Sequence, residues 1–293
     1  MNIKSGERIF NTVNHIMLII VAIVAIYPIW YVLIASVSSP VAISSGEVIL
    51  FPKGFNITAY KKLLDNNQIW VGYRNSILYT TVATLIDLFV QIPCAYALSQ
   101  KRMPYRRFFM TLFIIPMYFS GGIMPTYLLL NTLGFVNSPL ALIIPSCVNT
   151  FNLIVARSFF ESNVPESLFD AAQIDGCGYT RFFGKIVLPL SKAVVAIIAL
   201  YSIQGHWNAY LGPQMYLYSP ELHTLQQVIR NIIANIDTGL SETATTAEII
   251  AIVQEKQLLK YAVVVVSCLP LVIIYPFVQK FFVRGVMVGA VKG

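Results

Sequence analysis

The chain has 293 residues, of which 57% are hydrophobic and only 11% charged, with a formal net charge of +7. Soluble globular proteins carry about 25% charged residues, so that class is excluded and length counts membrane spans rather than soluble domains. Nucleic acid is excluded as a partner too, because the basic residues flank apolar runs instead of forming one patch.

Six apolar runs approach the ~20 residues that cross a bilayer as a helix. In chain order they are Ile16–Val37, Val71–Leu98, Phe108–Leu130, Pro139–Phe160, Ala193–Leu211 and Tyr261–Phe282. The first outlasts the roughly 7–15 apolar residues of a secretory signal. It reads as an anchor, with Ala35-Ser36-Val37 as a decoy cleavage site. Between the first two spans, Phe51–Phe55 and Tyr60–Leu64 look interfacial and partly amphipathic. Leu222–Ala234 also alternates apolar and polar residues at helical spacing. These segments either cap the outer mouth or lie on lipid as plain surface helices. The predicted fold is an all-α membrane protein, a single transmembrane domain over residues 1–293, with no internal repeat.

Lys and Arg set the orientation, because they concentrate in cytoplasmic loops. With the N-terminus inside, Lys4 and Arg8, Lys101, Arg102, Arg106 and Arg107, Arg157, Arg181, Lys185 and Lys192, and Lys280, Arg284 and Lys292 all fall on the cytoplasmic side. Those are 13 of the 20 basic residues. Both termini are then cytoplasmic in a multi-pass cell-membrane protein.

Polar groups inside spans are costly and usually face a cavity or a partner helix. Asp87 and Gln91 sit four apart on one face of span two. Gln204, His206, Trp207, Asn208 and Tyr210 cluster near the outer end of span five. Aromatic rings suit stacking on sugars, and Gln and Asn suit hydrogen bonding to them. Helix–helix hydrogen bonding and an interfacial aromatic belt explain the same residues equally well.

Between spans four and five lies a polar, Gly-broken segment, about 161–191. Pro165 suits a first helical turn, and Glu166 complements the helix dipole. Leu168, Ala171, Ala172 and Asp175 share one face by helical spacing, and small alanines there would let a partner approach closely. Gly176 is placed to end the helix in the left-handed conformation. Thr180 then caps a second helix through Phe182, Phe183 and Ile186, which Pro189 breaks. Physics alone leaves open a rigid lever or an ordinary connecting loop.

Asp170-Ala171-Ala172, Gly176 and Ile186-x-Leu188-Pro189 resemble the E-A-A, three residues, G, nine residues, I-x-L-P signature of bacterial ABC importer permeases, with Asp for the first Glu. The swap keeps the carboxylate and shortens its reach. Asn75-Ser76, Trp207-Asn208-Ala209-Tyr210 and Pro220–Leu225 are similar to carbohydrate permeases of the maltose-transporter type. Gly121–Tyr127 and Gly285–Gly289 resemble the branch that imports complex oligosaccharides, including pectin- and alginate-derived ones. The resemblance implies six helices of the type I importer permease fold, with a cytoplasmic coupling helix. It implies a second permease subunit, two ATPase subunits that hold ATP and Mg²⁺, and an external sugar-binding protein. Asp170, Ala171, Ala172, Asp175 and Gly176 would then be the ATPase-coupling residues.

No cofactor is expected on this chain. Gly178–Lys185 mimics a P-loop, but five residues separate its glycines where four are needed, and Ile186 stands where Ser or Thr should bind Mg²⁺. Cys94, Cys147, Cys177 and Cys268 are far apart, and His15, His206 and His223 form no metal-ligand spacing. An enzyme would need convergent acid, base or metal groups. The competing reading is a self-sufficient secondary carrier, which usually shows paired charges deep in several spans.

Overall fold

The structure is a computed structural model and describes residues 5–119, 121–238 and 246–290. Lys4 and Lys292 of the charge tally lie outside them. No β-strand occurs among the described residues. The long α1 (Ser5–Ser36) is followed by the short α2 (Pro40–Ser44) and α3 (Thr58–Asp65), then by the long α4 (Asn67–Ser99). Next come α5 (Arg106–Tyr118), α6 (Ile123–Thr132), α7 (Leu140–Ser146) and α8 (Thr150–Asn163). α9 (Glu166–Ile174) and α10 (Tyr179–Phe182) precede a π-helical turn, Phe183–Val187, and α11 (Leu188–Leu190). The chain ends through α12 (Lys192–Trp207), α13 (Leu211–Tyr216), α14 (Leu225–Thr238) and α15 (Thr246–Ala290).

Three of these helices, Ile9–Ser36, Asn67–Ser99 and Ile252–Pro276, are each long and apolar enough to cross a membrane, and three bent pairs raise the number to six. The expected third and fourth spans are therefore broken. α5 and α6 meet at 115°, where the chain passes Gly122 with φ +86°. α7 and α8 meet at 42° after Pro145, and Asn149 restarts the helix by accepting the Asn152 N–H at 3.1 Å. The sixth helix starts at Thr246 rather than near Tyr261, because Gln254, Lys256 and Gln257 hide its first turns from a hydropathy reading.

The chain divides into two compact units, 1–67 with 229–269 and 68–228 with 270–293. In the first, α1 is exposed from Ile9 to Trp30 and buried at its end, at Ile34, Ala35 and Ser36. Its C-terminal end is held by hydrogen bonds. Trp30 donates to the Leu50 carbonyl at 2.9 Å, and Tyr60 donates to the Ser36 hydroxyl at 2.7 Å. α3 buries Ala59 and Leu63, while Phe51 and Phe55 stay exposed. That arrangement suits the interfacial reading of this stretch. Here Ser44 also donates to Gln257 at 2.8 Å, and Tyr31 meets Tyr261 edge-on at 5.9 Å.

In the second unit α4 is patterned in reverse of a soluble helix. Gly72, Ser76, Thr80, Ala83, Asp87, Gln91 and Ala95 recur every three or four residues and are all buried, whereas Ile77, Leu85 and Phe89 are exposed. Lipid is as apolar as leucine, so helices associate there through small residues and hydrogen bonds rather than through burial of apolar surface. The stripe follows that rule. Ser76 accepts the Leu225 N–H at 2.8 Å, supplying a partner that the first turn of α14 lacks. Asn75 donates to the Glu221 carbonyl at 2.7 Å and to His223 at 3.0 Å. Gly72 faces the Leu225 backbone, and a Cβ there would lie 3.0 Å from Leu225 Cα and 3.2 Å from the Val228 side chain. Replacing Gly72 with Ala should therefore destabilise the protein by roughly 1–3 kcal/mol through overpacking. Gly184→Ala, at an exposed position where a Cβ meets nothing within 4 Å, should cost under ~0.5 kcal/mol. Thermal unfolding of the detergent-purified variants would measure both.

Candidate functional site

Two features of the second unit bear on function: the polar segment around α9, and a cavity beside α4. α9 opens with Pro165 in extended conformation as its N-cap, one position earlier than expected, so Glu166 begins the helix. The C-terminal end forms a Schellman motif. The Gly176 N–H reaches the Gln173 carbonyl at 3.0 Å and the Cys177 N–H reaches Ala172 at 2.9 Å. Gly176 has φ +74°, so it adopts the left-handed conformation read from the sequence.

The face expected of Leu168, Ala171, Ala172 and Asp175 does not hold together. Phe169 and Ala172 point inward, Ala172 at 7% exposure, with Leu168 partly buried beside them. Ala171, Asp175 and Gly176 face out with Ile174, which is 88% exposed. The large Phe169 ring sets this rotation, because burying it turns the opposite side outward. Phe169 stacks on Tyr179 at 4.7 Å and meets Phe182 edge-on at 5.0 Å. Tyr96 at the end of α4 contacts Phe160 at 5.6 Å and Phe183 at 5.1 Å. An aromatic block thus joins α9 and α10 to α4 and α8, and Phe160 and Phe182 are fully buried in it.

Asp170 is engaged from the side. Arg102, in the connection after α4, donates to its Oδ1 at 2.7 Å and lies over the Phe169 ring at 5.9 Å. The hydrogen bond to Asp170 and its charge push the Arg102 guanidinium above its already high ordinary value. Both partners are about half exposed, so the pair contributes little to stability and its consequence is positional. Glu161 at the end of α8 binds both Arg157 (2.7 Å) and Arg106 (3.2 Å). The sequence reading placed Arg102 and Arg106 in the short loop after span two and Arg157 in the next cytoplasmic segment, and named no partners for them.

The second half of the segment also differs from expectation. Gly178, not Thr180, is the N-cap of α10, and Pro189 does not break the helix. The π-helical turn absorbs the proline, with the Leu188 N–H reaching back five residues to Phe183. The chain turns only at Ser191, where it bends by 80° into α12. Gly178–Lys185 is thus the N-cap and body of this helix.

The cavity has a volume of about 340 Å³. Its wall includes Tyr79, Asp87, Tyr201, Ser202, His206 and Thr224. Asp87 Oδ2 lies 2.8 Å from His206 Nε2, and only 3% of the Asp87 side chain is exposed. Of the residues expected on a substrate path, these two reach the cavity. Gln91 is fully buried and donates to the Cys147 carbonyl at 3.2 Å. It therefore serves the break between α7 and α8. Gln204 and Asn208 are exposed, Trp207 is buried with its ring 6.3 Å from Tyr73, and Tyr210 lies off the cavity wall. Helical spacing accounts for the split: positions 202, 205, 206 and 209 form one face of the α12 end, and 204 and 208 another. Tyr201, Ser202 and Gly205 were missed, and the signal was helical spacing: Ser202 lies four residues before His206, and Tyr201 four before Gly205. Among the described residues no three His, Cys, Asp or Glu side chains come together as a metal site.

A buried polar stripe, broken helices and a firmly seated surface helix–turn–helix define a membrane transport subunit. Residues 69–288 match the family described as binding-protein-dependent transport system inner membrane component, and the chain belongs to that family. It is 34% identical over 290 residues to the polygalacturonan/rhamnogalacturonan transport system permease protein YtcP of Bacillus subtilis, covering 98% of this chain and 99% of that one. It is 36% identical over 294 residues to protein LplC of the same organism, covering 100% and 97%. Among solved structures it resembles a bacterial ABC transporter involved in the import of the acidic polysaccharide alginate, with a TM-score of 0.81 and 31% identity over 96% of this chain and 99% of that one. The chain is thus a multi-pass permease of an ABC transport system, whose partners include a solute-binding protein and an ATPase.

Replacing Gly176 with Val should strain the turn by roughly 1–2 kcal/mol. Its Cβ would meet nothing within 4 Å, so the effect is conformational and local. Transport is expected to be lost at normal expression while capture of solute by the external binding protein persists. For the Arg102–Asp170 pair, Arg102→Asp alone should lower uptake several-fold, and the exchange Arg102→Asp with Asp170→Arg should restore most of it. A double-mutant cycle on uptake rates checks this.

Proposed function

We propose that the chain is the membrane-embedded half of an ATP-driven importer, passing an oligosaccharide into the cytoplasm by alternating access while a separate ATPase supplies the energy. The observation that carries this reading is α9. It is capped at its C-terminal end by left-handed Gly176, seated by Phe169 in an aromatic block, and open to a partner at Ala171, Ile174 and Asp175. A rigid element transmits displacement that a loose loop would absorb. In this reading Ala171, Asp175 and Gly176 touch the ATPase. Asp170 and Ala172 act from behind, through Arg102 and the core respectively.

The complete machine would contain a second, different permease subunit, two ATPase subunits carrying ATP and Mg²⁺, and an external sugar-binding protein. The basic residues around α9 favour a cytoplasmic side for that segment and for both termini. Residues 1–293 would act as one permease domain, with the substrate path along α4 and α12 at Asp87 and His206. Gln91, Gln204, Trp207, Asn208 and Tyr210 would then support the path or face lipid and the second permease. The names of YtcP and of the alginate importer favour an oligosaccharide derived from an acidic plant or algal polysaccharide.

The buried Asp87–His206 contact is the one observation that favours a self-sufficient carrier. Reconstitution separates the two. With its partners, the chain should show ATP hydrolysis stimulated by one member of an oligosaccharide panel presented with its binding protein. Alone in liposomes it should move no sugar uphill, and accumulation by the isolated subunit would establish the carrier instead.

A further inference from the structure

The Asp87–His206 pair joins α4 to α12 and stands in the cavity wall with its two members unequally placed. Only 3% of the Asp87 side chain is exposed, against 15% for His206. The imidazole is the member that reaches open space, and the carboxylate stands behind it. The contact uses one ring nitrogen, Nε2, which lies 2.8 Å from Asp87 Oδ2. Among the described residues Nδ1 has no hydrogen-bond partner, and it is not one of the side-chain atoms closed off from water.

The surroundings leave that nitrogen room. Gly205 and Ala209 accompany His206 in the wall, and a Cβ on Gly205 would meet nothing within 4 Å. No other segment closes over α12 at that point. The wall holds no Lys or Arg, so His206 is its one basic side chain. An imidazole held at one nitrogen by a carboxylate is fixed in orientation and presents the other nitrogen to whatever lies opposite. A hydroxyl suits that nitrogen in either charge state of the ring. It donates to Nδ1 when the ring is neutral and accepts from it when the ring is protonated.

We propose that His206 Nδ1 is the cavity's contact for a ligand hydroxyl, and that Asp87 touches no ligand but acts through His206 as its positioning residue. This rests on the oligosaccharide-import reading and divides the roles of the two residues within it. A pair that only clasped α4 to α12 would need Nε2 alone.

The test uses the complete reconstituted complex. Its probe is galacturonate trimer delivered by the binding protein, or the panel oligosaccharide that stimulates hydrolysis where that differs. Gln at position 206 reaches as far as Nε2 and still donates to Asp87, but has nothing in place of Nδ1. His206→Gln is expected to raise the half-saturating concentration about tenfold, the weight of one hydrogen bond, and to lower the maximal rate by less than that. Asp87→Asn should raise half-saturation about fivefold in the wild-type background and less than about twofold in the His206→Gln background, because its effect passes through the ring. The chain has three histidines, His15, His206 and His223, so ¹⁵N-histidine labelling of this subunit gives a nuclear magnetic resonance spectrum that His206→Gln assigns. The His206 ring signals should move when the probe is delivered, and Asp87→Asn should move them with no ligand present. Half-saturation unmoved by His206→Gln overturns the contact, and so do His206 signals indifferent to the probe. Equal effects of Asp87→Asn in both backgrounds overturn the positioning role. If Asp87→Asn fails to assemble, Asp87→Glu, which keeps the charge and displaces the carboxylate, takes its place in both measurements. Uptake of no oligosaccharide, with none stimulating hydrolysis, counts against the import reading itself.

Discussion

Backbone groups cannot be left unpaired in lipid, and this protein breaks its helices repeatedly. The polar stripe of α4 is what makes those breaks tolerable. Ser76 serves the unpaired N–H at the start of α14, and Asn75 holds two carbonyls of the turn before it. Gln91 serves the carbonyl freed where α7 gives way to α8. Remove that stripe and the bent segments lose the partners that let them sit inside a membrane protein. Gly72 lets the Leu225 backbone come within reach of Ser76.

The same helix connects the two functional regions. Asp87 borders the cavity, and Tyr96, nine residues further on, belongs to the aromatic block under α9. At 1.5 Å per residue these points are about 14 Å apart along one helix, with Pro93 between them. In the proposed reading a displacement of α9 would reach the cavity through packed rings and this helix rather than through loops.

Polar residues in the spans divide by what they contact. The amide N–H groups of Gln91 and Asn75 donate to backbone carbonyls of other segments, which is an architectural role. Asp87, Ser202 and Thr224 belong to the cavity wall, and Asp87 holds His206 there at 2.8 Å. Phe169 shows the complementary case in the surface helix. One large apolar side chain decides which of the motif's residues are available to a partner.

The sequence alone determined the membrane class, the number of apolar runs and the Gly176 stop, because hydropathy over ~20 residues and the conformational freedom of glycine are local properties. It also carried the register of the motif and the family that register belongs to. It could not show that two spans are bent, since a hydropathy window averages across a break. It did not turn Ala172 inward either, because the face of a short helix is set by what Phe169 packs against. Most of all, the pairing of Asp87 with His206, 119 residues apart, and the meeting of Asn75-Ser76 with Glu221–Leu225 exist only once distant segments are packed together. Side-chain spacing predicts neighbours within a helix and says nothing about which helix lies opposite.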